Sequence, residues 1–127
     1  MFRNRRLWIA VGAASAFLAV AFGAFAAHGL SAAPDREVMH TGSTYEFFHA
    51  LAMLACEALV PTAPRARFAP PFFLAGTLLF SGSLYALALG APRWIGVVTP
   101  FGGLCFLAGW GVMVWAALSA PPTDART

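Results

Sequence analysis

One stretch of this chain holds its chemically able side chains at helical spacing: Glu46, His49, Met53 and Glu57. At 100° per residue the four fall within about 80° of arc, so on a helix they form one stripe that belongs against other helices. Glu46-x-x-His49 has the spacing with which helices of metal-binding bundles bring a carboxylate and an imidazole to one ion. A dinuclear site needs a second such pair and further carboxylates, and the remaining imidazoles are only His28 and His40. Glu46 and Glu57 are eleven positions apart, about 16 Å along a helix axis, which excludes two-carboxylate hydrolysis within the element. The reading adopted is structural, with no catalytic residue, cofactor or metal assigned. Glu46 caps its helix start, His49 hydrogen-bonds across the bundle, and Glu57 lies near the helix end within reach of Arg65, Arg67 or water. Cys56 and Cys105 stand outside any CxxC motif and at different depths, so they read as unbridged packing residues.

Composition dictates the elements that carry these residues. Of 127 residues 60% are hydrophobic and 10% charged, which excludes a water-soluble domain. Eight arginines and five acids leave residues 7–34, 68–92 and 94–123 uncharged. Each run exceeds the roughly 20 residues with which a helix crosses about 30 Å of hydrocarbon. A more polar fourth span ends before Pro61. The expectation is a single all-α membrane domain over residues 1–127, a polytopic four-transmembrane-helix bundle with spans at 7–27, 43–60, 70–90 and 99–118. Such a chain has no room for a soluble catalytic or nucleic-acid-binding domain. Its basic excess follows topology: Arg3, Arg5, Arg6, Arg65, Arg67 and Arg126 share one side, and Arg36 and Arg93 the other. The positive-inside rule then places both termini in the cytoplasm. The Arg-rich start and Ala24-Phe25-Ala26 imitate a signal peptide, but an apolar run of about 21 residues exceeds a signal core of about 7–15, so the segment is expected to stay attached.

Local signals refine this plan. Gly12, Ala16, Ala19, Gly23 and Ala27 form a small-residue stripe on span one, with Gly29 as its stop. Residues 31–42 read as the longest connection, with Pro34, Asp35 and Glu37 starting a short interfacial helix. Ser43-x-x-Glu46 fits a capping box at the start of span two. Pro70 and Pro71 suit the first turn of span three, whose Gly82, Ala86 and Gly90 form a second packing face. Thr99 is expected to cap span four ahead of Pro100, and Gly102, Cys105 and Gly109 share a face. Trp8, Trp94, Trp110 and Trp115 are interface or packing residues. Across the spans, His28, Tyr45, Glu46, His49, Ser81, Ser83, Tyr85 and Thr99 fall in one leaflet, as an interhelical network or a shallow outer cavity, with the network preferred.

GAFAAHGL at 23–30, TGSTYEFFHALA at 41–52, LFSGSLYALAL at 79–89 and TPFGGLCFLAGW at 99–110 resemble the YgdD/YwdK-like family of small inner-membrane proteins, a family of unknown function, domain of unknown function 423. The resemblance covers all four spans in order. It departs at Ala26, where the family often has Gly, and at Glu46, where it often has Gln, so it implies a hydrogen-bonding role at position 46 and not an obligatory carboxylate. It implies a multi-pass protein of the bacterial inner membrane and no established activity. The leading expectation is a non-enzymatic accessory or assembly component, with the lipid bilayer, further copies or a larger membrane complex as partners and no nucleic acid. The alternative is a small carrier or proton-linked channel using the polar cluster and Glu57. A third reading is a metal or haem protein using His28, His40 and His49.

Overall fold

Asn4 starts the first helix: its side-chain oxygen accepts the Leu7 N–H at 3.0 Å, satisfying a donor that a helix start leaves orphaned. Helix α1 then runs Arg5–His28 and is followed by α2, Ala33–Leu59. Pro34 lies in the first turn of α2 with Asp35 beside it, where a missing N–H costs least and an acid suits the helix dipole. A 3₁₀ turn, Pro64–Phe68, leads into α3, Ala69–Gly76. A π-helical turn, Thr77–Ser81, and α4, Gly82–Ala88, continue the same rod. A second 3₁₀ turn, Arg93–Val97, precedes α5, Thr99–Leu118. This computed structural model describes residues 4–122, and the regular structure among them is all helical. Met1, Arg3 and Arg126, which enter the expectations about topology and processing, lie outside the described residues.

Among the described residues three helical stretches are long and apolar enough to cross a membrane: Arg5–His28, Pro64–Ala88 and Arg93–Leu118. Helix α2 is 27 residues long but carries Asp35, Arg36, Glu37, Glu46 and Glu57. It packs along α1 on one side and along α3, the π-turn and α4 on the other, while α5 packs on α3 and the π-turn. Below, "upper" denotes the end of the bundle where α1 ends and α2 begins.

The start of α2 departs from expectation. It begins at Ala33 and not near residue 43, so 33–42 is helix and not connection. Pro34 and Asp35 do open a helix, and no proline follows to stop it. Ser43 and Glu46 therefore sit in mid-helix, where no capping box exists; the Ser43 hydroxyl donates to the His40 carbonyl at 3.0 Å. Gly42 is accommodated because the Tyr85 ring fills the space a side chain would need.

Two glycines of the face expected on span three have no close neighbour. Gly82 meets nothing closer than the Thr77 carbonyl, 4.0 Å from where its Cβ would stand. Gly90 has φ +100° and open space around it. It ends α4 in a Schellman turn, with Ala91 N–H on the Ala86 carbonyl and Gly90 N–H on that of Leu87. The close approaches are elsewhere: a Cβ on Gly102 would strike the Phe80 backbone, and one on Gly109 the Phe73 ring. Gly12 packs on Leu54 and the Ala50 carbonyl, and Gly23 on Ser43.

These approaches divide the interior into layers. Ala52, Met53, Cys56, Ala69, Phe73 and Phe106 form a lower apolar cluster, while Ala26, Met39 and Ala88 form an upper one. Between them lie Ser43, Glu46 and His49 of α2 and their partners.

Candidate functional site

Glu46 is central to this polar layer. It stands thirteen positions from each end of α2, and only 4% of its surface is exposed. One carboxylate oxygen accepts the Ser15 hydroxyl of α1 at 2.9 Å, and the other accepts the Tyr85 hydroxyl of α4 at 2.6 Å. Tyr85 is steadied by stacking on Phe22 of α1, with ring centroids 4.2 Å apart. A single side chain thus ties three helices, and among the described residues no cation pairs with it.

His49, one turn further along, faces α5. Its Nδ1 donates to the Tyr45 carbonyl at 2.7 Å, and its Nε2 accepts the Trp110 indole N–H at 3.1 Å. That pattern selects the neutral imidazole protonated on Nδ1, because an N–H on Nε2 would oppose the indole donor. The ring lies flat on Phe106 at 3.6 Å and is flanked by Phe73. Both nitrogens are engaged, so a metal at His49 would have to displace Trp110 or break the helix-internal bond. Among the described residues no three His, Cys, Asp or Glu side chains converge as a metal site would need. His28, in the last turn of α1, and His40 are exposed, and His40 is nine positions, about 14 Å, from His49.

The other expected members of the outer cluster form separate pairs. Ser81 in the π-turn donates to the Gly42 carbonyl at 2.7 Å, while the Ser83 and Thr99 hydroxyls bond to each other. Thr99 therefore joins α5 to α4 and caps nothing; the residue before α5 is Val98, with no side-chain cap. Tyr45 contributes its carbonyl to His49, and its half-exposed ring packs on Phe80. His28 stays outside the layer. The earlier start of α2 moves Glu46 and His49 from the upper edge to the middle of the bundle.

Glu57 is 1% exposed at the lower end of α2, and its neighbour is Arg5 of α1, not Arg65 or Arg67. The Arg5 Nε lies 3.8 Å from its carboxylate, and another Arg5 nitrogen donates to its backbone carbonyl at 2.6 Å. Arg65 stacks on Trp115 and Arg67 on Phe68. Cys56 and Cys105 are not disulfide-bonded, and the Cys56 thiol is directed at the Met113 sulfur, 3.4 Å away. Sequence reasoning missed Ser15 and the bonding role of Trp110. Ser15 was legible as the hydroxyl three positions after Gly12 and four before Ala19, on the buried face of α1.

Comparison with known proteins places this geometry among membrane proteins. Residues 22–103 match the family described as protein of unknown function, DUF423. The chain is 39% identical over 119 residues to the membrane protein YwdK of Bacillus subtilis, covering 89% of this chain and 97% of that one. It is 42% identical over 118 residues to the inner membrane protein YgdD of Escherichia coli, covering 89% and 90%. A membrane protein of Haemophilus influenzae is 44% identical over 107 residues, covering 81% and 86%. No solved structure matches the chain.

Proposed function

The chain belongs to the DUF423 family of membrane proteins, and on that premise we propose that it is a non-enzymatic four-span protein of the bacterial inner membrane that acts by packing with further copies or with a larger complex. Helix α2 is read as the fourth span because it lies lengthwise against α1 and α3, and its mid-helix polar groups face other helices. A buried charge is tolerated in a span when it faces the bundle in this way.

The observation that carries the non-enzymatic reading is the full hydrogen bonding of Glu46 and His49. Both oxygens of Glu46 and both nitrogens of His49 bond within the chain, so neither side chain is held ready as a base. The outside of the bundle, by contrast, is broadly apolar, with Phe17 on α1, Phe48 on α2 and Leu107 and Leu118 on α5 among its exposed side chains. Some of that surface suits lipid, and some suits helices of a partner.

Affinity purification in mild detergent followed by mass spectrometry tests the reading. A stoichiometric membrane partner, or a defined homo-oligomer, is the expected result. A monomer that dissipates a proton gradient in reconstituted vesicles, with the leak lost in Glu46→Leu, would instead support the carrier reading.

A further inference from the structure

The outward-facing seam between α1 and α2 is open along much of its length. At its upper end a recess of about 250 Å³ is lined by Arg36, Glu37 and His40 over a floor of Gly23, Ala26 and Ala27. Below it, a recess of about 220 Å³ lies between Ala19 and Val20 on one side and Ser43 and Phe47 on the other. A third, of about 420 Å³, is lined by Ala13, Ala16, Phe17 and again Val20 and Phe47. The lower two share walls, and Gly23 and His40 stand one helical turn from Val20 and Ser43, so the three make one groove. From Ala26 to Ala13 it follows α1 for about 20 Å, close to the depth of one leaflet with its headgroups.

Charge is confined to the top of this groove. Arg36 is held beside it by donating from Nη1 to the carbonyls of Leu30 and Ser31, which leaves its Nε and Nη2 for a ligand. Glu37 follows at the next position and His40 one turn on, so a cation, an anion and an imidazole meet over a floor of small side chains. Beneath them the walls are almost wholly apolar.

We propose that this groove holds one phospholipid whose headgroup joins a phosphate to a primary ammonium, the phosphate on Arg36 and His40, the ammonium on Glu37, and an acyl chain along the alanine and phenylalanine walls. Glu37 decides the headgroup. A purely anionic lipid would bring no cation to this carboxylate, and a quaternary ammonium has no N–H to donate to it. Arg36 supplies the planar donor set that a phosphate diester accepts.

Native mass spectrometry of the full-length protein in mild detergent, offered phosphatidylethanolamine, phosphatidylcholine or phosphatidylglycerol with matched acyl chains, is the test. One phosphatidylethanolamine is expected to be retained, preferred about tenfold over phosphatidylcholine, the value of one charge-assisted hydrogen bond. Glu37→Gln should erase the preference while phosphatidylcholine retention persists, and Arg36→Gln should lower retention of all three. Equal retention by the parent protein, or a preference that survives Glu37→Gln, overturns the proposal. Thermal unfolding checks each variant. Where Glu37→Gln fails to fold, His40→Leu replaces it, and unchanged retention of all three lipids in that variant overturns the phosphate assignment. Soluble phosphoethanolamine should not displace the lipid; displacement at equal concentration would assign the recess to a free phosphate ester. A lipid-free protein dimer would assign the groove to a second copy.

Discussion

Glu46 and His49 differ in what their replacement should cost, because each is bonded by a different kind of donor. Glu46→Gln keeps an acceptor for one hydroxyl and offers the other an amide N–H, so thermal stability in detergent should change by less than about 1 kcal/mol. Glu46→Leu strands the Tyr85 hydroxyl, with an expected loss of about 1–3 kcal/mol; Ser15 can fall back on the carbonyl one turn behind it. A Leu variant as stable as the parent would show that the three-helix tie contributes nothing. For His49, Gln retains an acceptor for the Trp110 indole and should be tolerated, whereas Leu should lose about 0.6–2 kcal/mol. Equal losses in both His49 variants would argue that the stacked ring on Phe106, and not its nitrogens, is what the position needs. The residues of this layer were largely legible, since the spacing of Glu46, His49, Met53 and Glu57 already put them on one inward stripe. Their partners were not. Nothing in a single sequence states that Tyr85 reaches Glu46 from 39 positions away, or that Arg5 in place of Arg65 approaches Glu57.

Among elements, glycines separate the contacts that fix helix spacing from those that merely thin the surface. Gly102→Ala would push a methyl group into the Phe80 backbone, which cannot rotate aside, and should cost about 1–3 kcal/mol. Gly103, one position on, has nothing within 4 Å of its Cβ direction, so Gly103→Ala should be neutral or stabilising by up to about 1 kcal/mol through helix propensity. Unfolding both variants side by side in detergent decides the matter, and equal melting temperatures would mean that the α5 approach to the π-turn is loose. Three of the spans were readable because uncharged runs of sufficient length are rare outside membranes. The continuity of α2 was not, because Ser43-x-x-Glu46 mimics a second helix start after the one that Pro34, Asp35 and Glu37 already offer. Helix signals are local, whereas Tyr85 and Ser81 meet Gly42 from another helix, a contact no local signal announces.

For the molecule as a whole, the proposed four-span reading and the arginine distribution predict that both ends of the chain share one side of the membrane. A periplasm-dependent phosphatase fused after Thr127 should therefore be inactive, and a fusion in the connection near Arg93 active; the reverse pattern would invert the bundle. The arrangement of both halves depends on the π-turn, in which the Gly82 N–H bonds to the Thr77 carbonyl five positions back. Such a turn is an α-helix carrying one residue more than its hydrogen-bond ladder needs. In genetic terms it is a phase shift: the reading of faces above Ser81 is offset from that below Thr77. Removing Leu78, whose side chain is largely exposed, should restore an ordinary helix and rotate α4 by about 100° relative to α3. Ser83 would then turn away from Thr99 and Tyr85 from Glu46, uncoupling two interhelical bonds without altering any residue that makes them. A deletion variant that melts well below the parent, and in which Tyr85→Phe causes no further loss, is the expected signature.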